Sequence, residues 1–135
     1  MIRIIALTEK GLMLAQRIAG LLTEAYDIYY KPKPFTEQVQ KAFVNGDKLI
    51  FICATGIVIR TLAPVLVNKK LDPPVVVLDE QGQFVIPLLS GHEGGANAWG
   101  QVLATALSAQ LVLTTAQDYL EPIYSVGMGC ERGCC

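Results

Sequence analysis

The segment KLIFICATGIVIR, residues 48–60, decides the fold class of this chain of 135 residues. It opens with a continuous apolar run from Leu49 to Ala54, which is typical of a strand buried on both faces. Thr55 and Gly56 then mark a turn, and a short apolar helix follows them. A buried strand that leads through a glycine turn into a helix is typical of α/β proteins.

The segments on both sides repeat this alternation of strand and helix. The predicted helices carry apolar residues on one side, such as Leu12, Ala15 and Ala19, and the predicted strands are rich in β-branched residues. The sequence therefore predicts an α/β fold, a three-layer sandwich with a mostly parallel, Rossmann- or flavodoxin-like sheet. The predicted strands are Ile2–Thr8, Tyr26–Tyr30, Lys48–Ala54, Val75–Leu78, Phe84–Leu88 and Ala109–Thr115.

Three local features refine this prediction. The turn Glu80–Gly82 predicts a hairpin between the fourth and fifth strands. Thr36 is a candidate N-cap for the helix that follows Pro34. The last predicted helix is expected to bury one stripe of side chains, made of Ala98, Val102, Leu103, Ala106 and Leu107.

The composition favours a folded domain and excludes several classes of protein. Apolar residues make up 52 % and charged residues 17 % of the chain, which is enough apolar material for a core. The net charge of −1 gives no basic excess, so no nucleic-acid partner is expected. Residues 49–67 approach the length of a membrane span, but Arg60 near their middle and Pro64 favour a strand and a short helix. No membrane partner is therefore expected.

The cysteines and the N-terminus indicate a cytoplasmic protein. The apolar run at residues 1–8 is too short for a secretory leader and lacks a small-residue cleavage site, so reduced thiols are expected. Cys53 lies in an apolar strand, where a thiol behaves as a small hydrophobic group. The other three cysteines crowd into CERGCC at residues 130–135, without the two separated pairs of a structural zinc site. We predict no metal site.

The segment PLLSGHEGGANAWG, residues 87–100, holds the only histidine, His92. Its imidazole suits acid–base catalysis near neutral pH. Glycines allow positive φ or a close approach of a ligand to the backbone. The alternative interpretation is a structural turn with an exposed histidine, and the spacing fits neither common nucleotide-binding glycine motif.

Two further turns are expected beside this one, because ligands bind beyond the carboxyl ends of parallel strands. One is Thr55-Gly56, which leads to Arg60, a residue that either pairs with a carboxylate or only reaches solvent. The other is Thr114-Thr115, at the end of the last predicted strand. The candidate binding residues are Thr55, Gly56, Arg60, Ser90, Gly91, Gly94, Gly95, Ala96, Asn97, Thr114 and Thr115, and His92 is the catalytic candidate.

The segment from Gly56 to Asp118 resembles the CbiG family, the cobalt-precorrin-5A hydrolases of anaerobic cobalamin biosynthesis. The resemblance rests on Gly56–Arg60, Asp72-Pro73, Asp79–Gly82, Ser90–Asn97 and Thr114–Ala116. VGMGCERG, residues 126–133, resembles the beginning of the family's C-terminal domain. We therefore expect an α/β domain over residues 1–120. Residues 121–135 are expected to form a linker and the first strand and turn of a truncated C-terminal domain.

The resemblance implies a reaction and a substrate. The substrate is a cobalt corrinoid with many carboxylate side chains and a ring δ-lactone, which water opens with release of acetaldehyde to give cobalt-precorrin-5B. Because the substrate carries the cobalt, no separate cofactor is expected. Chemistry then suggests that His92 transfers protons and that the N–H groups of Gly94–Ala96 hold the oxyanion formed when the lactone opens. Arg60 and Asn97 are expected to bind substrate.

Two alternatives stay open. The first is a non-catalytic corrinoid-binding module, whose partner would be a separate C-terminal domain of the family or another cobalamin-pathway enzyme. The second is a flavodoxin-like nucleotide binder.

Overall fold

One six-stranded sheet with helices on both faces organises the fold. The computed structural model describes residues 1–116 of the chain. The strands are β1 (Ile2–Ala6), β2 (Tyr26–Tyr30), β3 (Lys48–Ile52), β4 (Val75–Leu78), β5 (Phe84–Leu89) and β6 (Gln110–Leu111). The helices are α1 (Glu9–Ala19), α2 (Phe35–Val44), α3 (Thr55–Leu62) and α4 (Ala96–Leu107).

The direction of the strands changes once within the sheet. The strand order is β2-β1-β3-β4-β5-β6, and β1 to β4 are parallel to one another. β5 is antiparallel to β4, with Leu78 opposite Val85 and Val75 opposite Leu89, and β6 is parallel to β5. We call the edge where β1 to β4 end the carboxyl edge. The other edge, where β5 and β6 end, is the amino edge.

Each face of the sheet receives two helices. On face A, α1 and α4 bury Leu14, Ile18, Leu103 and other apolar side chains against the strands. On face B, α2 and α3 bury residues such as Phe43 and Leu62. Right-handed connections between parallel strands account for this distribution. The step from β5 to β6 is made by reversed strands, so its helix falls on the same face as α1.

This architecture confirms the predicted α/β sandwich with a mostly parallel sheet. Residues 49–67 contain β3 and α3, as expected from the interrupted apolar run, and no helix within residues 1–116 is long and apolar enough to span a membrane. β6 is shorter than the predicted strand. Residues 121–135, which we expected to begin a further domain, lie outside the described residues.

Two local predictions were wrong. Helix α2 begins at Phe35, with Pro34 as its N-cap, so Thr36 already lies inside the first turn. In α4 the predicted Leu103 and Leu107 are buried, but the other three predicted residues, Ala98, Val102 and Ala106, are exposed. The buried stripe is completed instead by Ala96, Gly100 and Ala104. The stripe passes through Gly100 because α4 lies close to β5. A Cβ atom at Gly100 would be 2.9 Å from Cγ of Pro87.

The two strand phenylalanines test the layer arrangement. Phe51 in β3 is fully buried on face B, whereas Phe84 in β5 is 46 % exposed. We expect Phe51→Ala to lower the free energy of unfolding by about 3–5 kcal/mol through lost burial and a cavity. Phe84→Ala is the matched control and should cost less than about 2 kcal/mol, since little burial is lost. Urea denaturation measures both values, and equal losses would contradict the layer arrangement.

Candidate functional site

The loop Ser90–Gly95, called the glycine loop below, joins the end of β5 to the beginning of α4 at the amino edge. Ser90 begins the loop with a left-handed φ of 60°, which is uncommon for a residue with a Cβ atom. The Ser90 side chain is buried, and its hydroxyl donates a hydrogen bond of 2.9 Å to the carbonyl oxygen of Asp72. Ser90 therefore anchors the loop to the connection between α3 and β4.

The glycines of this loop are required by close contacts within the protein. A Cβ atom at Gly91 would lie 2.8 Å from Oδ1 of Asn97, and one at Gly94 would overlap Cβ of Ser90. Gly95, the N-cap of α4, has a left-handed φ of 86°. The glycine-rich composition thus follows from close contacts and backbone conformation, and by itself does not indicate a bound ligand.

Asn97 ties three parts of the amino edge together. Its Nδ2 donates to Oγ1 of Thr115 at 2.8 Å, and its backbone N–H donates to the carbonyl oxygen of Gly91 at 2.9 Å. The residue is only 9 % exposed. Asn97 therefore fixes the glycine loop to the segment after β6, and Thr115 lies beside the loop as predicted. Thr114 is exposed in the same segment.

The backbone N–H groups of the loop divide into two kinds. The N–H of Ala96 donates to the carbonyl oxygen of Ser90 at 3.0 Å, and Ala96 is fully buried. The expected role of Ala96 as an oxyanion donor is therefore wrong. By contrast, the N–H groups of Gly94 and Gly95 donate no hydrogen bond to any residue in the range 1–116. They remain able to bind an anionic oxygen.

A cavity of about 360 Å³ adjoins the glycine loop. Its wall combines the imidazole of the exposed His92 with the apolar side chains of Leu111 and Leu113. Sequence analysis missed these leucines and Gln101, because only the fold brings β6 against the first turns of α4. The cavity is lined by Gly91, His92, Gly95, Asn97, Ala98, Gln101, Leu111 and Leu113.

The other predicted binding residues lie at the opposite edge of the sheet. Thr55 and Gly56 form the first turn of α3, beyond the end of β3. The guanidinium of Arg60 folds back over this turn, since a Cβ atom at Gly56 would be 3.3 Å from its Nη1. The paired part of β3 and β4 separates the two edges by roughly 13 Å at the usual rise of a strand. The prediction that all three turns share one edge was wrong, because β5 is reversed.

The carboxyl edge has its own polar contacts, which Thr8 makes after the end of β1. Oγ1 of Thr8 accepts the N–H of Gly11 at 3.0 Å, as an N-cap does, and donates to a carboxylate oxygen of Glu80 at 2.8 Å. In the sequence, a threonine three residues before a glycine directly after β1 could have indicated this N-cap. Burial raises the pKa of Cys53 to about 11, so its thiol stays protonated at neutral pH, as expected of a packing residue.

Comparisons with known proteins agree with the resemblance found in the sequence. A family model described as cobalamin synthesis G N-terminal matches residues 37–118, which is more than half of the chain. The chain belongs to this family. It is 44 % identical over 129 residues to a cobalt-precorrin-5A hydrolase of Salmonella typhimurium, and the match covers 89 % of the chain and 37 % of that relative.

Two further proteins from these comparisons bear on the family assignment. A cobalt-precorrin-5A hydrolase of Priestia megaterium is 38 % identical over 136 residues, with coverage of 89 % and 36 %. The crystal structure of a cobalamin biosynthesis protein G homolog from Sulfolobus solfataricus superposes with a TM-score of 0.68 at 25 % identity, covering 84 % of this chain and 36 % of that one. The chain thus spans little more than a third of the length of its relatives in the cobalamin synthesis G family.

Substitution of two glycines tests whether the glycine loop is as tightly packed as these distances indicate. Gly94→Ala forces its Cβ atom against Ser90, and we expect the free energy of unfolding to fall by about 1–3 kcal/mol from overpacking. Gly20→Ala is the control, because Gly20 has helical φ and ψ and its added Cβ atom would be 3.5 Å from the nearest atom. Chemical denaturation compares the two, and a Gly94→Ala protein as stable as Gly20→Ala would refute the packing.

Proposed function

We propose that this chain contributes to the hydrolysis of cobalt-precorrin-5A and that the lactone of this substrate is opened at the glycine-loop cavity. One observation carries the proposal beyond the names of the relatives. The cavity is lined by His92 and Gly95, and the N–H groups of Gly95 and its neighbour Gly94 have no acceptor within residues 1–116. A proton-transfer group beside oxyanion donors is what lactone hydrolysis requires.

The proposed reaction begins when water attacks the lactone carbonyl carbon. His92 takes a proton from the water as the new C–O bond forms, and the carbonyl oxygen becomes an oxyanion that the N–H groups of Gly94 and Gly95 hold. When this intermediate collapses, the ring C–O bond breaks and His92 returns the proton to the leaving alkoxide oxygen. The products of this step are an alcohol and a carboxylic acid, which loses its proton to solvent.

Release of acetaldehyde then requires a second proton transfer. The alcohol loses its proton as the adjacent C–C bond breaks, and the electron pair of that bond remains with the macrocycle. His92 can accept this proton after the first step has left it neutral. In this proposal the cobalt remains part of the substrate, and the protein supplies no cofactor.

Residues in and around the glycine loop hold it in place and form the wall of the cavity. Asn97 and Thr115 hold the loop through their hydrogen bond, and Ser90 holds its beginning. Leu111 and Leu113 offer an apolar wall for the edge of the macrocycle. The apolar wall would exclude water from one side of the lactone, which strengthens hydrogen bonds to the oxyanion. Thr55, Gly56 and Arg60 lie at the other edge of the sheet, so we assign them no part in the chemical step.

Acetaldehyde release by His92→Ala tests the proposed proton transfer. We expect the rate of acetaldehyde release from cobalt-precorrin-5A to fall by about 10²–10⁴-fold, the usual effect of losing an acid–base group. Arg60→Ala is the control and should stay within about threefold of the unsubstituted chain, because Arg60 lies at the carboxyl edge. A His92→Ala protein that retains the full rate would remove His92 from the mechanism.

Binding and turnover of the 135-residue chain distinguish the proposal from its alternatives. Trp99 is the only tryptophan of the chain and lies in the first turn of α4, so its fluorescence reports on ligands at the cavity. Quenching by cobalt-precorrin-5A together with acetaldehyde release supports the hydrolase. Quenching without acetaldehyde supports a corrinoid-binding module, and quenching only by flavin or nucleotide supports the flavodoxin-like alternative.

A further inference from the structure

The outer part of face B lacks a covering helix. β5 supplies fully buried Val85 to face A, but its side chains on face B, Ile86 and Leu88, are only half-buried, and Phe84 is 46 % exposed. This asymmetry arises because α4 crosses on face A, whereas α2 and α3 pack against β1, β3 and β4. Within the described residues, therefore, a helix covers β5 along its length on face A only, and on face B just its Leu88–Leu89 end approaches α3.

An apolar groove runs between α3 and this uncovered strand. Its volume is about 270 Å³, and its lining is wholly apolar in residue type. Ile59 on α3 is 55 % exposed, and Leu66 after α3 is 44 % exposed. A continuous apolar surface of this kind marks an interaction site more often than scattered exposed residues do. The groove is lined by Val58, Ile59, Leu62, Ala63, Leu66, Leu88 and Leu89.

The segment that follows the groove residue Leu66 in the chain carries positive charge. The connection from α3 to β4 places exposed Lys69 and Lys70 beside the exposed Val67 and Leu71. The nearby Asp72 carboxylate already accepts the backbone N–H of Val67 at 2.9 Å. A covering surface with an apolar centre and acidic residues at its margin would complement this face.

We propose that the α3–β5 groove is the docking face for the polypeptide that makes up the other two thirds of the family's longer members. The matched region covers only 37 % and 36 % of the two hydrolase relatives and 36 % of the Sulfolobus chain. Those proteins therefore contain a large additional polypeptide joined to a domain like this one. The uncovered strand and its groove offer that polypeptide an apolar surface, and burying it removes apolar area from water.

Cysteine labelling in two intact proteins tests the assignment. Ile59→Cys probes the groove, and Val102→Cys is the matched control, since Val102 is 65 % exposed on α4 at the opposite face. In the 135-residue chain both thiols should react with N-ethylmaleimide at rates within about threefold of each other, because both are accessible. In the full-length Salmonella relative, a cysteine at the position aligned with Ile59 should react at least about tenfold more slowly than one aligned with Val102.

Amide hydrogen exchange gives a second measurement that needs no substitution. We compare exchange rates, corrected for sequence, between the Salmonella relative and the 135-residue chain. In the relative, exchange should be at least about tenfold slower in the segments aligned with residues 55–66 and 84–89. The segment aligned with residues 96–107 is the control and should not be slowed. Equal labelling at the two aligned positions, or equal exchange, would overturn the proposal. So would protection of Ile59→Cys in the 135-residue chain together with a dimer mass in light scattering, because a second copy would then occupy the groove. None of these outcomes depends on hydrolysis.

Discussion

The turn between β4 and β5 is the constraint on which the rest of the structure depends. The Asp79 carboxylate accepts the backbone N–H groups of Gln83 and Phe84 at 2.9 and 2.8 Å, while Gly82 supplies a left-handed φ of 69°. A carboxylate that satisfies several turn N–H groups fixes a tight reversal of the chain. This reversal places the glycine loop at the amino edge, moves α4 to face A and leaves β5 uncovered on face B.

The sequence contains enough information to predict the first of these consequences. The Glu80–Gly82 turn predicts a hairpin, and a hairpin makes its two strands antiparallel. The end of β5 must then lie at the opposite edge from the end of β3, so the hairpin alone implies that Arg60 and His92 are far apart. The rule for ligand sites in parallel sheets does not extend to a strand that a hairpin reverses. The strands and helices themselves follow their hydrophobic patterns closely.

Other features depend on contacts between segments distant in sequence. The apolar residues of α4 are mostly small, so more than one stripe satisfies helical periodicity, and the close approach of Gly100 to Pro87 selects the one that is buried. In the same way, a glycine required by a ligand and a glycine required by a neighbouring side chain look identical in sequence. Only the distances to Asn97 and Ser90 identify Gly91 and Gly94 as packing glycines.

The glycine loop and the α3–β5 groove are physically connected. The hydroxyl of Ser90 holds the carbonyl oxygen of Asp72, and the Asp72 carboxylate in turn holds the N–H of Val67 next to the groove residue Leu66. Leu88 and Leu89 of the groove lead directly into Ser90. A polypeptide that covers the groove therefore contacts the two segments that anchor the beginning of the loop. Ser90 therefore contacts both the proposed docking face and the proposed catalytic loop. Because residues joined in one hydrogen-bond network respond to substitution together, a substitution of Ser90 should affect both.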